Sequence, residues 1–137
     1  MAEFSAASKR RLLTCHPKLQ KLFNKVIETY DCTILWGHRG KEEQDKSYFR
    51  GFSKVKYPHS KHNKQPSMAV DVMPYFDLEP HVRWEDTESI YHFVGYVQAI
   101  ADIEGIKIRS GADWDMDFEF DDQTFVDAAH FELIEDE

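Results

Sequence analysis

Near the start of the chain, apolar residues recur with the spacing of a helix. Leu19, Leu22, Phe23, Val26, Ile27 and Tyr30 fall at i, i+3, i+4 and i+7 intervals, which sets them on one stripe of a helical surface. Pro17 suits the first turn of that helix, where a missing N–H costs nothing. Ahead of it, Ser8 to Thr14 reads as a short helix, ended by His16-Pro17. Cys32-Thr-Ile-Leu-Trp36 is rich in β-branched and apolar residues and predicts a strand, stopped by Gly37. Lys41 to Tyr48 predicts a short charged helix. From Phe49 to Pro66 the pattern vanishes into polar residues with Gly51, Pro58 and Pro66, a long loop of the kind that carries function in small domains.

Periodicity then returns. Met68-Ala-Val-Asp-Val-Met73 predicts a second strand, closed by Pro74. Its alternation places Ala69, Asp71 and Met73 on one face and Val70 and Val72 on the other. Asp86 or Thr87 can cap the longest helix, whose stripe is Ile90, Phe93, Val94, Val97, Ile100 and Ala101, with Gly105 just past its end. Ile106-Lys-Ile108 predicts a third strand, Asp113 to Asp122 an acidic loop, and Ala129-His-Phe-Glu-Leu-Ile134 a last, alternating strand. Helices and strands interleave irregularly with short connections between strands. The expected class is α+β, with helices flanking a small, mainly antiparallel sheet.

Length fits one domain, residues 1–137, large enough to bury a core without disulfides. Cys15 and Cys32 form neither a disulfide framework nor a zinc knuckle and read as small core residues. No transmembrane run occurs, and Met1 to Arg11 lacks the apolar stretch of a secretory signal, so the expectation is folding in a cytoplasm without membrane insertion. A net charge of −8 argues against a nucleic-acid partner. The charge is uneven: residues 39–64 hold eight Lys/Arg and three Asp/Glu, and residues 111–137 hold eleven Asp/Glu and no Lys/Arg. The first segment suits a ligand with carboxylates and the second suits cations, although two solvated faces would look the same.

Two of the seven histidines stand out. His62 ends the polar loop just before the strand that presents Asp71, and His130 lies in an apolar strand with Asp127 three residues earlier. A carboxylate or imidazole is costly to bury in such a strand unless it is paired or bound to a metal. Two histidines and one carboxylate make a common catalytic zinc set, with the fourth position open to water. By spacing alone, His62, Asp71 and His130 admit either a metal centre or a chance scatter of ligand types.

The segment Ser60-Lys-His62 … Ala69-Val-Asp71 resembles the SxH…AxD signature of the D-alanyl-D-alanine carboxypeptidase/L-alanyl-D-glutamate endopeptidase family, the VanY-like zinc peptidases. Asp127-Ala-Ala-His130 resembles that family's closing acid-x-x-His motif. Gly37-His-Arg39 with Gln44, and Phe49-Arg-Gly-Phe-Ser53, are similar to further stretches of it. The loop from His62 to Asp71 is two residues longer than the commonest form and carries Asn63-Lys-Gln-Pro-Ser67 where a Gly is usual, a version shared by phage members. The resemblance implies a Hedgehog/DD-peptidase-like fold and a phage-endolysin-like enzyme, monomeric, with peptidoglycan stem peptides as partner. It would be made in the host cytoplasm and reach the wall at lysis.

It also implies roles. His62, Asp71 and His130 would hold Zn2+, which lowers the pKa of a bound water to about 7. Asp127 is the expected general base. Arg39 is the expected substrate anchor and polariser of the scissile carbonyl, because a guanidinium is a planar fork of donors. Ser60 would orient the loop or contact substrate. Asp113, Asp115, Asp117 and Glu119 alternate as calcium ligands do, with Asp122 close behind. Phe118 and Thr124 stand where an EF-hand needs Gly and Glu, so a regulatory Ca2+ would sit in a different loop type. The leading expectation is an L-alanyl-D-glutamate endopeptidase. A D-alanyl-D-alanine carboxypeptidase would use the same centre, and a non-catalytic zinc-containing wall-binding domain is the alternative of another class.

Overall fold

A computed structural model describes residues 2–51, 53, 55–111 and 128–134. Within them the chain runs α1 (Ala6–Leu13), α2 (Pro17–Val26), β1 (Cys32–Trp36), α3 (Lys41–Phe49), β2 (Ala69–Pro74), α4 (Thr87–Ile103), β3 (Ile108–Ser110) and β4 (His130–Leu133). The four strands form one antiparallel sheet in the order β1-β2-β4-β3. The expected α+β class is therefore the observed one.

Local chemistry sets the helix ends. Ser5 caps α1 by accepting from Ser8 N–H, so that helix begins earlier than its apolar pattern suggests. His16 caps α2, with Pro17 in the first turn. Asp86 caps α4, accepting from the backbone N–H and hydroxyl of Ser89. α2 ends at Val26, and Ile27 to Tyr30 continue as a turn. β3 is shifted two residues beyond the predicted strand, because Ile106 packs in the core as the chain leaves α4.

Alternation divides most strand positions as expected, but Met73, expected on the face of Asp71, belongs to the hydrophobic core. Val70 and Val72 of β2, and Phe131 and Leu133 of β4, join the core beneath α2 and α4. Phe131 meets Phe23 and Phe93 edge to face, with centroids 5.5 Å and 6.2 Å apart. The alternate residues Asp71, His130 and Glu132 face the other way and are buried too. α1 lies along β1, where Ser8 Oγ accepts from Ile34 N–H and Arg11 Nη1 donates to Ile34 O.

Candidate metal centre

Asp71 and His130 are direct cross-strand partners in β2 and β4. Opposite residues of an antiparallel pair bring their Cβ atoms within about 4.5–5.5 Å, so register alone sets these side chains together. The third residue arrives from the polar loop. A single 3-10 turn, Lys61–Asn63, carries His62. Ser60 caps that turn, accepting from His62 N–H, and Asn63 Oδ1 accepts from Ser60 N–H. Ser60, expected either to orient the loop or to contact substrate, stands at the head of this turn.

The site is laced to the segment after β1. His62 Nδ1 lies 2.8 Å from Gly37 O, Arg39 N–H donates to His62 O, and Asn63 Nδ2 donates to Arg39 O. A carbonyl can only accept, so His62 Nδ1 carries a proton, and Nε2 is the nitrogen left to face inward. His62 Nε2 then faces Asp71 Oδ1 at 3.2 Å. His130 repeats the arrangement in mirror form. Its Nε2 lies 2.9 Å from Glu132 Oε1, and its Nδ1 lies 3.3 Å from Asp71 Oδ1.

Three potential ligand atoms, His62 Nε2, Asp71 Oδ1 and His130 Nδ1, converge in a pocket where these residues are between 2% and 9% exposed. Lone pairs that face one another repel unless a proton or a cation lies between them. A tetrahedral zinc with bonds of about 2.0–2.1 Å keeps ligand atoms roughly 3.3–3.4 Å apart. The observed 3.2 Å and 3.3 Å spacings match that edge, so the residues fit a zinc ion. Burial alone would raise the Asp71 carboxyl, but the charges and hydrogen bonds of His62 and His130 hold it well below the usual carboxylate range.

Arg39 stands behind this centre rather than open to solvent. Nη2 bonds Asp71 Oδ2 at 3.1 Å and Nη1 bonds Gln44 Oε1 at 3.1 Å. Gln44 is wholly buried and passes the network to Ser53 Oγ and Val55 O. The half-exposed Trp36 ring lies 5.0 Å from the guanidinium, just past an irregularity in the β1 register. Sequence reasoning missed Gly37, whose contribution is a backbone carbonyl, and Lys61 and Arg109, whose nitrogens lie 3.1 Å and 3.0 Å from Glu132 Oε2. Burial acts to raise the Glu132 carboxyl, yet the His130 hydrogen bond and the charges of His130, Lys61 and Arg109 bring it down to about 2. Asp127 lies outside the described residues, as do Asp113, Asp115, Asp117, Glu119 and Asp122. A turn at residues 128–129 leads into His130.

Three comparisons bear on this arrangement. Residues 1–134 match the family model described as phage L-alanyl-D-glutamate peptidase. The L-alanyl-D-glutamate peptidase of Escherichia phage T5 is 30% identical over 137 residues, spanning 96% of this chain and 98% of that protein. The crystal structure of Serratia marcescens L-Ala D-Glu endopeptidase ChiX superposes with a TM-score of 0.74 at 23% identity, over 96% of this chain and 90% of that one, a likeness of fold.

Proposed function

The chain belongs to the phage L-alanyl-D-glutamate peptidase family, and from that membership we propose that it hydrolyses the L-alanyl-D-glutamate bond of peptidoglycan stem peptides with a zinc ion held by His62, Asp71 and His130. Its activity is that of a peptidase. The observation that supports the metal is the convergence of three potential ligand atoms, each residue fixed by a partner on its far side or its second oxygen. The motifs around them support the narrower reading as a VanY-like enzyme. Where the family's bond is concerned, the similarity favours the endopeptidase over the carboxypeptidase.

Zinc bound there would polarise a carbonyl and make hydroxide available near neutral pH. The chain's own residues supply the rest. Gly37 O and Glu132 fix which imidazole nitrogens face inward. Arg39 balances the charge of Asp71; to reach a substrate carboxylate or oxyanion, one of its terminal nitrogens must exchange partners. Asp127 is proposed as the base that takes a proton from water and returns it to the leaving amine, on the strength of its spacing from His130. The alternating carboxylates of residues 113–122 support a regulatory calcium ion, to be tested by calcium titration of activity. Among the described residues no helix is long and apolar enough to cross a membrane. We propose that the enzyme meets the wall after release from the host cytoplasm.

The test is digestion of purified peptidoglycan with and without EDTA, followed by mass analysis. Fragments with a new D-glutamate amino terminus, lost on chelation and restored by zinc, are expected. Release of free D-alanine alone would overturn the endopeptidase reading.

A further inference from the structure

Glu132 has no part in the three-residue centre, yet it is among the most constrained side chains near it. It is 6% exposed, on the same face of β4 as His130. Oε1 accepts from His130 Nε2 at 2.9 Å. Oε2 meets Arg109 Nη2 at 3.0 Å, across the β3–β4 register, and Lys61 Nζ at 3.1 Å. Lys61 belongs to the turn that carries His62 and also donates to Leu133 O of β4. One carboxylate thus joins three elements: the turn with one histidine, the strand with the other, and the edge strand β3.

This geometry bears on two functions. With both oxygens engaged, Glu132 is poorly placed to serve as the general base. It is well placed to decide how His130 presents itself. A carboxylate behind a ligating imidazole fixes the ring's tautomer and orientation and raises its basicity, and losing it typically costs about ten- to a hundred-fold in metal affinity. A lone buried carboxylate would be a poor clamp, because its own desolvation is unfavourable. Two cations offset that cost here, and one of them ties the two histidine-bearing segments together.

We propose that Glu132, clamped between Lys61 and Arg109, is a positioning residue for the metal: it holds the Nε2 proton of His130, turns Nδ1 toward Asp71 and His62, and through Lys61 locks the His62 turn onto the His130 strand. The inference rests on the metal reading above. It assigns a function to Lys61, which stands between Ser60 and His62.

The experiment measures zinc affinity by competition with a chromophoric chelator, and the visible spectrum of the cobalt-substituted protein. Both are read in the parent, Glu132→Gln, Lys61→Met and Lys61→Arg. Glu132→Gln keeps the shape and removes the charge, and its zinc affinity is expected to fall about ten- to a hundred-fold with a shifted cobalt band and unchanged far-ultraviolet circular dichroism. Lys61→Met leaves Glu132 in place, tests the clamp even if Glu132→Gln folds poorly, and should weaken zinc binding in the same direction by less. Lys61→Arg should restore it. Parental affinity and spectrum in both Glu132→Gln and Lys61→Met would overturn the clamp while leaving the zinc centre standing. A parent that cuts stem peptides yet binds no zinc would overturn the metal reading and the clamp with it.

Discussion

Each histidine of the centre offers one nitrogen inward because the other is already occupied, by Gly37 O for His62 and by Glu132 for His130. Removing a proposed ligand and removing the proposed base should therefore have different signatures. His130→Ala is expected to lose both bound zinc and lytic activity, whereas Asp127→Ala should retain stoichiometric zinc and lose lysis, as metal analysis beside a turbidity assay would show. Asp71→Asn has a second consequence, since it strands the Arg39 guanidinium in a buried site. Breaking one partner of a buried pair costs roughly 3–5 kcal/mol, so this variant should unfold at clearly lower urea concentration as well as release zinc. Proton competition acts on the same imidazoles. Zinc needs them unprotonated, so acidification should release it, as metal analysis across a pH series would show. The cysteines stand outside this chemistry. Burial pushes the Cys15 thiol up to about 12, and Cys32 is raised as well, so neither is expected to react with a thiol reagent at neutral pH until the protein unfolds.

Between single residues and the whole fold lie the elements that deliver them. The segment after β1 passes so close to the end of α1 that a Cβ on Gly37 would lie 2.3 Å from Arg11 O and from Thr14 Oγ1. Gly37→Ala must displace this segment, and the carbonyl that holds His62 moves with it. The expected cost is about 1–3 kcal/mol in stability, joined by weaker zinc binding, measured by denaturant melts and chelator competition. Much of this layer is legible in the sequence. The stripes of α2 and α4 and the runs of β1, β2 and β4 come from burial, and burial leaves a period in the residue types. Asp71 and His130 are visible as polar residues inside such runs. The 3-10 turn of His62 is too short to leave any period within its polar loop. Gly37's role belongs to a backbone carbonyl, which no side-chain pattern reports. The pairing of Arg39 with Asp71, and of Lys61 and Arg109 with Glu132, depends on which strands become neighbours, and the residue pattern alone does not give that order.

Taken as a whole, the molecule uses one sheet for two purposes. One face packs on α2 and α4 through Phe131, Val70 and Val72, and the other presents Asp71, His130 and Glu132. Damage to the first should reach the second. Phe131→Ala lies between two metal-face residues of β4 and is expected to cost about 3–5 kcal/mol, with activity lost in step with folding in a thermal melt. The remaining feature is the pair of bonds from Ser8 and Arg11 to Ile34. β1 is the outer strand on its side of the sheet, and Ile34 directs its N–H and C=O away from β2. Left open, such a strand is a template on which another molecule can zip a strand of its own. The first helix covers this edge at Ile34. Ser8→Ala combined with Arg11→Ala should leave the chain folded at low concentration and make it aggregate more readily than the parent as concentration rises, as light scattering would show.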